Sequence, residues 1–402
     1  MSLTSQQIAL RSQIELASGG KQTVVFTPKG QPCFMYVVKK FKIEDVRPNL
    51  PFTGVHPMFI VDGVEHDEIY VGVYEASRIN GELVSQPNTI PFTGAGLPWW
   101  GVPPEQNTIA TIYDTLDKMN SNSTLVFHNM NTLELGGLRM LVQGELTPST
   151  SINGYSTFGE HSEGRKRADG LAPTVNSGSA LLTGTSGASH RFNHDYAGIE
   201  ELAVNYWHKP FDVRLMPHKN GGRELQFYGV ANNRVKRKLD SYLLHSGKSI
   251  EGWYAIDAET GAPVAVTSEP QSPGGTTNDF TNGGIATTQG TVRITNPGEE
   301  GRGVVAVPVS TSINPANLLK STPNSFVENI GGGAAKSLFI QLGLDINPYY
   351  TDPLPYNNFY ALNMLPGTPM WQGTALSWLN LGYSIQWDES NPCHNRICTL
   401  YK

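Results

Sequence analysis

The chain has 402 residues, a formal net charge of −6 and a charged fraction of only 16%. Its 42 glycines and 27 prolines favour a strand-rich and loop-rich protein over a helical bundle. The apolar fraction of 39% is sufficient for a sizeable core, which excludes wholesale disorder.

Several classes of protein are disfavoured by simple features. The densest basic spots, residues 165–167 and 234–238, are short, so no nucleic acid is expected as a partner. No window approaches about 18 consecutive apolar residues, so we expect no transmembrane helix and no membrane insertion. The first residues lack the order of a signal peptide, and the 3 cysteines form no disulfide framework. We therefore expect a protein that is made and folded in a cytoplasm.

The N-terminal residues carry a helical pattern. Residues 5–18 place apolar residues at helical intervals, and the glycine pair at 19–20 is a typical helix end. We interpret residues 1–20 as a docking segment, for a partner or for the axis of a homotrimer. A frayed terminus is the alternative.

The next part of the chain predicts strands and one tight hairpin. Residues 23–26 and 33–41 read as strands, and the apolar run 33–38 predicts burial on both faces. Asp62 and Gly63 form a hairpin signal between apolar segments. A further strand is predicted close behind this turn.

Two amphipathic patterns follow. Apolar residues at helical spacing predict helices over 108–119 and 131–144, with a short strand over 123–127 between them. The later chain predicts mainly strands, which cover residues 211–215, 226–230, 252–256, 262–266, 291–295 and 303–309.

The centre of the chain is the stretch LLTGTSGASHRFNHDYAGIEELAVNYWHKPFDVRL, residues 181–215. Its first half has the composition of a loop, and residues 196–199 form a compact turn. An aromatic run that includes Trp207 comes next. We expect the Trp207 side chain to lie in the core, as large aromatic side chains usually do. We expect the rest of the chain to be organised around this stretch.

Two N-terminal segments resemble a known family. SGGKQTVVFTPKGQPCFMYVVKKFKIEDV and HPMFIVDGVEHDEIYVGVYEAS are similar to the start of tail-associated proteins of phages and prophages. Members have a C-type-lectin-like fold of the formylglycine-generating-enzyme type, which phage tropism determinants share. The resemblance implies an α+β fold with two core helices around antiparallel sheets, long loops and a β-rich insertion.

The resemblance also implies a division of the chain. The expected parts are the docking segment 1–20, a β-rich part 21–105, a lectin-like core 106–250, a β-rich insertion 251–330 and a C-terminal part 331–402 that completes the lectin-like domain.

The central stretch carries the most specific part of the resemblance, together with a departure from it. Residues 182–184, 194–196, 198–202 and 205–207 follow the family pattern. The second Trp and the carboxylate that usually end this pattern are missing, because His208 and Lys209 follow Trp207. Calcium-binding relatives use this neighbourhood for oxygen ligands. The departure disfavours a metal here, although Glu200, Asn205 and main-chain carbonyls could still offer oxygens to calcium. We expect no cofactor.

In tropism determinants of this fold, the face before the final strand contacts the receptor. Aromatic and polar residues are interleaved here, and 3 of the 7 Trp fall between residues 371 and 387. A place in the core is the alternative for two of these Trp residues, at positions 371 and 378. The receptor-contacting residues that the resemblance implies are Trp371, Gln372, Thr374, Ser377, Trp378, Tyr383, Gln386, Trp387, Asp388 and Asn391.

The resulting expectation is a non-enzymatic virion protein, assembled in the host cytoplasm, that recognises a host surface glycan or protein from a tail fibre. A homo-oligomer, such as a trimer, is expected. A decoration, collar or baseplate protein that binds other virion proteins is the second hypothesis. A divergent formylglycine-generating-type oxidase is the third and least favoured, because Cys393 and Cys398 lie later in the chain than that family's catalytic pair.

Overall fold

A computed structural model provides the structure of the chain. It describes residues 2–48, 53–91, 109–141, 155–156, 160–161, 182–188, 191–200, 207–208, 212–217, 223–230, 252–256, 263–265, 292–295, 303–307, 393–394 and 396–402. Within these residues, helices and antiparallel sheets are mixed, so the described part is α+β, as predicted. No described helix is both long enough and apolar enough to cross a membrane.

The described helices are α1 (Ser5–Ala17), α2 (Ile43–Val46), α3 (Ile109–Ser121) and α4 (Thr132–Met140). The strands of the first half are β1 (Gln22–Phe26), β2 (Pro32–Lys39), β3 (Ile60–Val61), β4 (Val64–Glu65), β5 (Glu68–Gly72), β6 (Ala76–Ile79), β7 (Glu82–Ser85), β8 (Leu125–Asn129), β9 (Tyr155–Ser156) and β10 (Glu160–His161). The later strands are β11 (Trp207–His208), β12 (Val213–Pro217), β13 (Arg223–Tyr228), β14 (Trp253–Ile256), β15 (Pro263–Ala265), β16 (Val292–Thr295), β17 (Gly303–Val307), β18 (Cys393–His394) and β19 (Ile397–Tyr401).

Local signals explain most of these elements. Thr4 and Gln7 form a reciprocal capping box at the start of α1, and the left-handed glycines 19 and 20 follow its end. Asp62 and Gly63 both have positive φ in the tight turn between β3 and β4, as the primed hairpin turns require. The predicted helices over 5–18 and 108–119 and this hairpin are confirmed.

The first sheet contains both ends of the described fold. Its strand order is β1-β2-β5-β19-β8, and every neighbouring pair is antiparallel. The last strand, β19, therefore lies between two strands from the first third of the chain. Asn129, at the end of β8, is paired with Ile397, at the start of β19. The chain leaves the sheet and returns to it at the same position. Residues 130–396 therefore form one long connection between the neighbouring strands β8 and β19, which we call the excursion.

The two faces of the first sheet carry different layers. On one face, buried side chains of α3 pack against strand residues such as Phe127 and Ile397. On the other face, α4 and residues near position 192 pack against Val71 and Cys398. Adjacent residues along β19 thus face opposite layers, which is the alternation expected of a strand. Each face of the sheet therefore carries a packed layer.

One sequence expectation about this sheet is confirmed only in part, since Val38 is buried on the second face but its neighbours there are not. The run 33–38 was predicted to be buried on both faces, but Phe34 and Tyr36 are only half-buried. Edge-on aromatic contacts with Tyr74 and Phe192 cover them in part. The long apolar run reflects one core face and one aromatic face that is incompletely covered.

A second sheet has the order β15-β14-β13-β17-β16, with β12 also paired to β13. It lies against the α3 face, because the Trp253 side chain of β14 is buried in the same cluster as the inward residues of α3. Strands from both sides of the expected boundary at residues 250 and 251 are paired in this sheet. The domain division itself stays a prediction.

Candidate functional site

The predicted recognition face lies outside the described part of the chain, as does Asn205. This holds for all ten receptor-contacting residues: Trp371, Gln372, Thr374, Ser377, Trp378, Tyr383, Gln386, Trp387, Asp388 and Asn391. They stay predictions. Trp207 is described only as the first residue of β11, which pairs in parallel with β18, and its side chain is outside the described part.

The described site is the buried junction at which the excursion joins the first sheet. Arg396, which directly precedes β19, is 1% exposed. Its Nη1 donates to the main-chain oxygens of Gly72 (2.8 Å) and Val73 (3.0 Å), and its Nη2 donates to that of Glu200 (2.7 Å). One guanidinium therefore joins the end of β5, the central stretch and the last strand.

The Glu200 carboxylate is the second anchor of the junction. Its Oε2 accepts from the Gly184 N–H at 2.6 Å, and its Oε1 accepts from the N–H and hydroxyl of Ser186. The Arg191 guanidinium lies 3.9 Å from Oε1. Burial raises the pKa of Glu200, while Arg191 and these donors act in the opposite direction.

These contacts bear on the calcium hypothesis for this neighbourhood. Both oxygens of Glu200 already accept hydrogen bonds, from the half-buried Gly184 and the buried Ser186. A cation at this carboxylate would have to replace donors that hold the 184–186 segment in place. Calcium at this position stays a prediction, and the described role of Glu200 is structural.

A tight surface turn lies between Arg191 and Glu200, which pair with each other at its base. Asn193 and His194 both have left-handed backbone conformations (φ 54° and 55°), which are costly for residues other than glycine. Gly198 is required where the turn closes, because an added Cβ would lie 2.3 Å from the Phe192 oxygen. Tyr196, at the tip, is 75% exposed.

The buried Arg191 side chain and two residues at the start of β1 hold this turn in place. Arg191 Nη1 donates to the main-chain oxygens of Tyr196 (3.0 Å) and Gly198 (3.4 Å). Gln22 Nε2 donates to the Ala197 oxygen at 2.8 Å, and Lys21 forms an ion pair with Asp195. The turn therefore presents Tyr196 to solvent from a rigid base.

A buried polar cluster lies under the start of α4. His128 and Cys398 are directly opposed in the β8–β19 pair, and Glu134 is in the first turn of α4. His128 Nε2 and Glu134 Oε1 are 2.5 Å apart. Glu134 Oε2 accepts from the Asn131 N–H while Asn131 Oδ1 accepts from the Glu134 N–H, both at 2.8 Å, which is a capping box.

A second buried carboxylate, that of Asp212 directly before β12, holds the start of α4 within the excursion. Asp212 Oδ2 accepts from the N–H (3.0 Å) and the hydroxyl (2.5 Å) of Thr132, the first residue of the helix. Its other oxygen, Oδ1, accepts no hydrogen bond from any residue that the structure describes. Burial raises the pKa of Asp212 to about 6, and the nearby Glu134 carboxylate adds to this effect.

The two cysteines whose side chains are described do not have the character of nucleophiles. Cys33 and Cys398 are both fully buried. Burial raises the pKa of Cys33 to about 12, and burial together with the Glu134 carboxylate holds the pKa of Cys398 well above its usual value. Both are therefore thiols at neutral pH. The side chain of Cys393 lies outside the described part.

Sequence reasoning missed the junction residues. Arg396 and Asp212 carry no local signal, because their partners are far away in the chain. The Asn131–Glu134 spacing is a capping-box signal that was available in the sequence. It would have placed Glu134 at the helix start, close to the strand that carries His128.

No family model matches the chain, and no curated protein matches it significantly. A proposal of function therefore rests on the resemblance in the sequence and on the geometry of the described residues.

Proposed function

We propose that the protein is a non-enzymatic bacteriophage virion protein that recognises a surface through a C-type-lectin-like domain. The observation that carries the proposal is the pairing of β19 between β5 and β8. This pairing holds both ends of the excursion 130–396 in one sheet. Recognition by long surface segments requires such a rigid base.

The contacts of the junction support this role. Arg396 attaches the excursion to the main-chain oxygens of Gly72 and Val73 at the end of β5. Glu200 and Asp212 use buried carboxylates to hold separate segments of the excursion to one another. Such bonds hold segments in a single arrangement, because any alternative leaves buried polar groups unsatisfied. A preorganised surface loses less entropy when it binds a partner.

The composition of the excursion fits recognition better than catalysis. It contains the interleaved aromatic and polar residues 371–391, which suit contact with a glycan or a protein. The exposed Tyr196 adds a described aromatic side chain on the same excursion. The partners in this proposal are other virion proteins and a host surface glycan or protein, and the chain acts as a homo-oligomer in a tail fibre.

Cell binding by the purified full-length protein tests the proposal. Fluorescently labelled protein should bind the bacterium that carries the phage or prophage and should not bind unrelated bacteria. Trp387→Ala and Gln386→Ala should reduce binding at least tenfold, because central aromatic and polar contacts supply most binding energy. Lys118→Ala, an exposed substitution on α3, is the control. Absence of binding by well-folded wild type would refute recognition of the cell surface.

A second candidate function, assembly into a collar, baseplate or capsid decoration, is favoured by α1. This helix has no buried residue, and it exposes Ile8 (53%) and Leu16 (85%) to solvent. Exposed large apolar side chains on a capped helix suit docking to another virion protein. Ile8→Glu with Leu16→Glu should block incorporation into particles if α1 docks.

The two candidates give different outcomes. Normal incorporation of the Ile8→Glu, Leu16→Glu variant excludes docking through α1. Incorporation of wild type into particles without any cell binding favours the assembly role over receptor recognition. Immunogold labelling of purified particles would locate the protein in either case.

The oxidase hypothesis receives little support. It requires a pair of reactive thiolates, and Cys398 is a buried thiol beside a carboxylate. Its strand neighbour is His128 on β8. We therefore favour a binding protein over a copper oxidase.

A further inference from the structure

Three different metal-ligating side chains meet in the core below α4. One ligand atom each from His128, Glu134 and Cys398 lies within 4.8 Å of the other two. The side chains of His128 and Glu134 are 0% and 1% exposed, and Cys398 is 0% exposed. Such a mixture of sulfur, nitrogen and oxygen donors is unusual for a dry core, where polar groups need partners.

Rigid elements hold all three ligands. His128 and Cys398 are directly opposed on neighbouring antiparallel strands, so their side chains project from the same face of the sheet. The capping box with Asn131 fixes Glu134 in the first turn of α4. A metal site built on strands and a helix start is better preorganised than one built on loops.

The donor set identifies the kind of ion. A cysteine sulfur, an imidazole nitrogen and a carboxylate oxygen are the ligands that zinc takes in proteins. Calcium and magnesium prefer oxygen ligands alone, so they are disfavoured. The three residues offer one ligand atom each, and Glu134 Oε2 keeps its hydrogen bond from the Asn131 N–H. We propose that His128, Glu134 and Cys398 bind a structural zinc ion.

Charge balance supports this ion. A thiolate and a carboxylate carry two negative charges, which a divalent cation neutralises while the imidazole stays neutral. The buried Asp212 carboxylate lies close enough to Glu134 to interact with it, and its Oδ1 has no hydrogen-bond partner among the described residues. The surroundings therefore hold more acidic groups than the described hydrogen bonds satisfy, which favours a cation.

Binding has a defined proton balance. The free site holds Cys398 as a thiol, because burial raises the pKa of this side chain. Zinc binding converts the thiol into a zinc-bound thiolate and releases one proton to solvent, with no redox step. Zinc affinity should therefore rise with pH.

The ion would have a clear structural consequence. Its ligands come from β8, from α4 and from the last strand β19. Zinc would thus join the last strand to the part of the sheet formed by the first third of the chain. This inference is independent of the proposed recognition function, because a zinc ion in the core stabilises the scaffold whatever the surface binds.

Metal analysis of the full-length protein tests the inference. Protein purified without added metal should contain about one zinc ion per chain, as measured by elemental mass spectrometry. After chelation, Co²⁺ should give a thiolate-to-cobalt charge-transfer band, and zinc should abolish it. Calorimetry in buffers of different ionisation enthalpy should report release of about one proton per zinc bound.

Matched variants assign the ligands. Cys398→Ser and Glu134→Gln should each reduce zinc affinity at least tenfold and remove or shift the cobalt band. Cys33→Ser is the control, because Cys33 is equally buried in the same sheet but is not part of the cluster. It should keep the zinc and the band.

The decisive measurements use wild type, so they remain informative if Cys398→Ser does not fold. Absence of zinc in purified protein, together with no cobalt band and no heat of zinc binding after chelation, overturns the proposal and leaves a hydrogen-bonded cluster. Copper in place of zinc, lost in both Cys393→Ser and Cys398→Ser, also overturns it and favours the oxidase.

Discussion

The Arg396 guanidinium donates a 2.7 Å hydrogen bond to the main-chain oxygen of Glu200. This contact joins the residue before the last strand to the end of the central surface turn. Both residues are buried, and Arg396 also satisfies the main-chain oxygens of Gly72 and Val73. The junction therefore depends on one side chain that no local sequence pattern identifies.

Replacement of Arg396 should be strongly destabilising. Arg396→Met removes this donor from three main-chain oxygens, of which that of Val73 still accepts from the Glu200 N–H. A buried acceptor that is left unsatisfied costs about 1–3 kcal/mol. We expect the free energy of unfolding to fall by about 3–5 kcal/mol in urea titrations. Arg11→Met is the control, since Arg11 is half-buried and, among the residues that the structure describes, donates to the Val24 oxygen alone. A loss below about 1 kcal/mol for Arg396→Met would contradict the role of the junction.

The last strand should be essential for folding, whereas α1 should not. Deletion of residues 397–402 exposes the facing edges of β5 and β8 and removes the strand between them. We expect this truncated protein to be insoluble or to lack a cooperative unfolding transition. Deletion of residues 2–17 removes a helix with no buried residue and should leave the protein folded. Circular dichroism and limited proteolysis distinguish these outcomes.

Asp212 should make stability depend on pH. The pKa of its carboxyl is about 6 in the folded protein and 3.8 in its ordinary state. The folded protein therefore holds this proton more tightly than the unfolded chain. The contribution of this proton to the free energy of unfolding is complete below about pH 4, and it is lost as the pH rises through 6. The difference of about two pKa units corresponds to at most about 3 kcal/mol.

Asp212→Asn isolates this effect. The amide oxygen can still accept from Thr132, and the variant no longer titrates. In buffers with EDTA, the variant should be more stable than wild type at pH 8, by up to about 3 kcal/mol, and this difference should vanish near pH 4. Asp114→Asn, at an exposed position, should show no comparable trend. A constant difference between Asp212→Asn and wild type across this range would argue against the raised pKa.

Glycine at one position of the surface turn should stabilise the folded protein. His194 has a φ of 55°, a left-handed conformation that costs residues other than glycine about 1 kcal/mol. His194→Gly should raise the free energy of unfolding by about 0.5–1 kcal/mol. His66→Gly is the control, because the backbone at this position is not left-handed, and it should lower stability. A destabilised His194→Gly would indicate that the side chain contributes more than the backbone strain costs.

The sequence predicted the local elements because their signals are local. Helix periodicity with a glycine end predicted α1, and Asp62 with Gly63 predicted the first hairpin. The burial of the run 33–38 was predicted less well, since an aromatic strand face does not reveal how completely it is covered. The recognition residues between 371 and 391 rest on resemblance and stay predictions.

The sequence by itself determined the α+β composition, the positions of α1 and α3 and most strands of the second sheet, because periodicity and turn residues act over a few positions. Only the tertiary structure decided that β19 lies between β5 and β8. Strand order is set by pairing between distant segments, which hydrophobic alternation does not encode. The same reason applies to Arg396 with Glu200 and to His128 with Cys398, since each pair is formed only when the last strand enters the sheet.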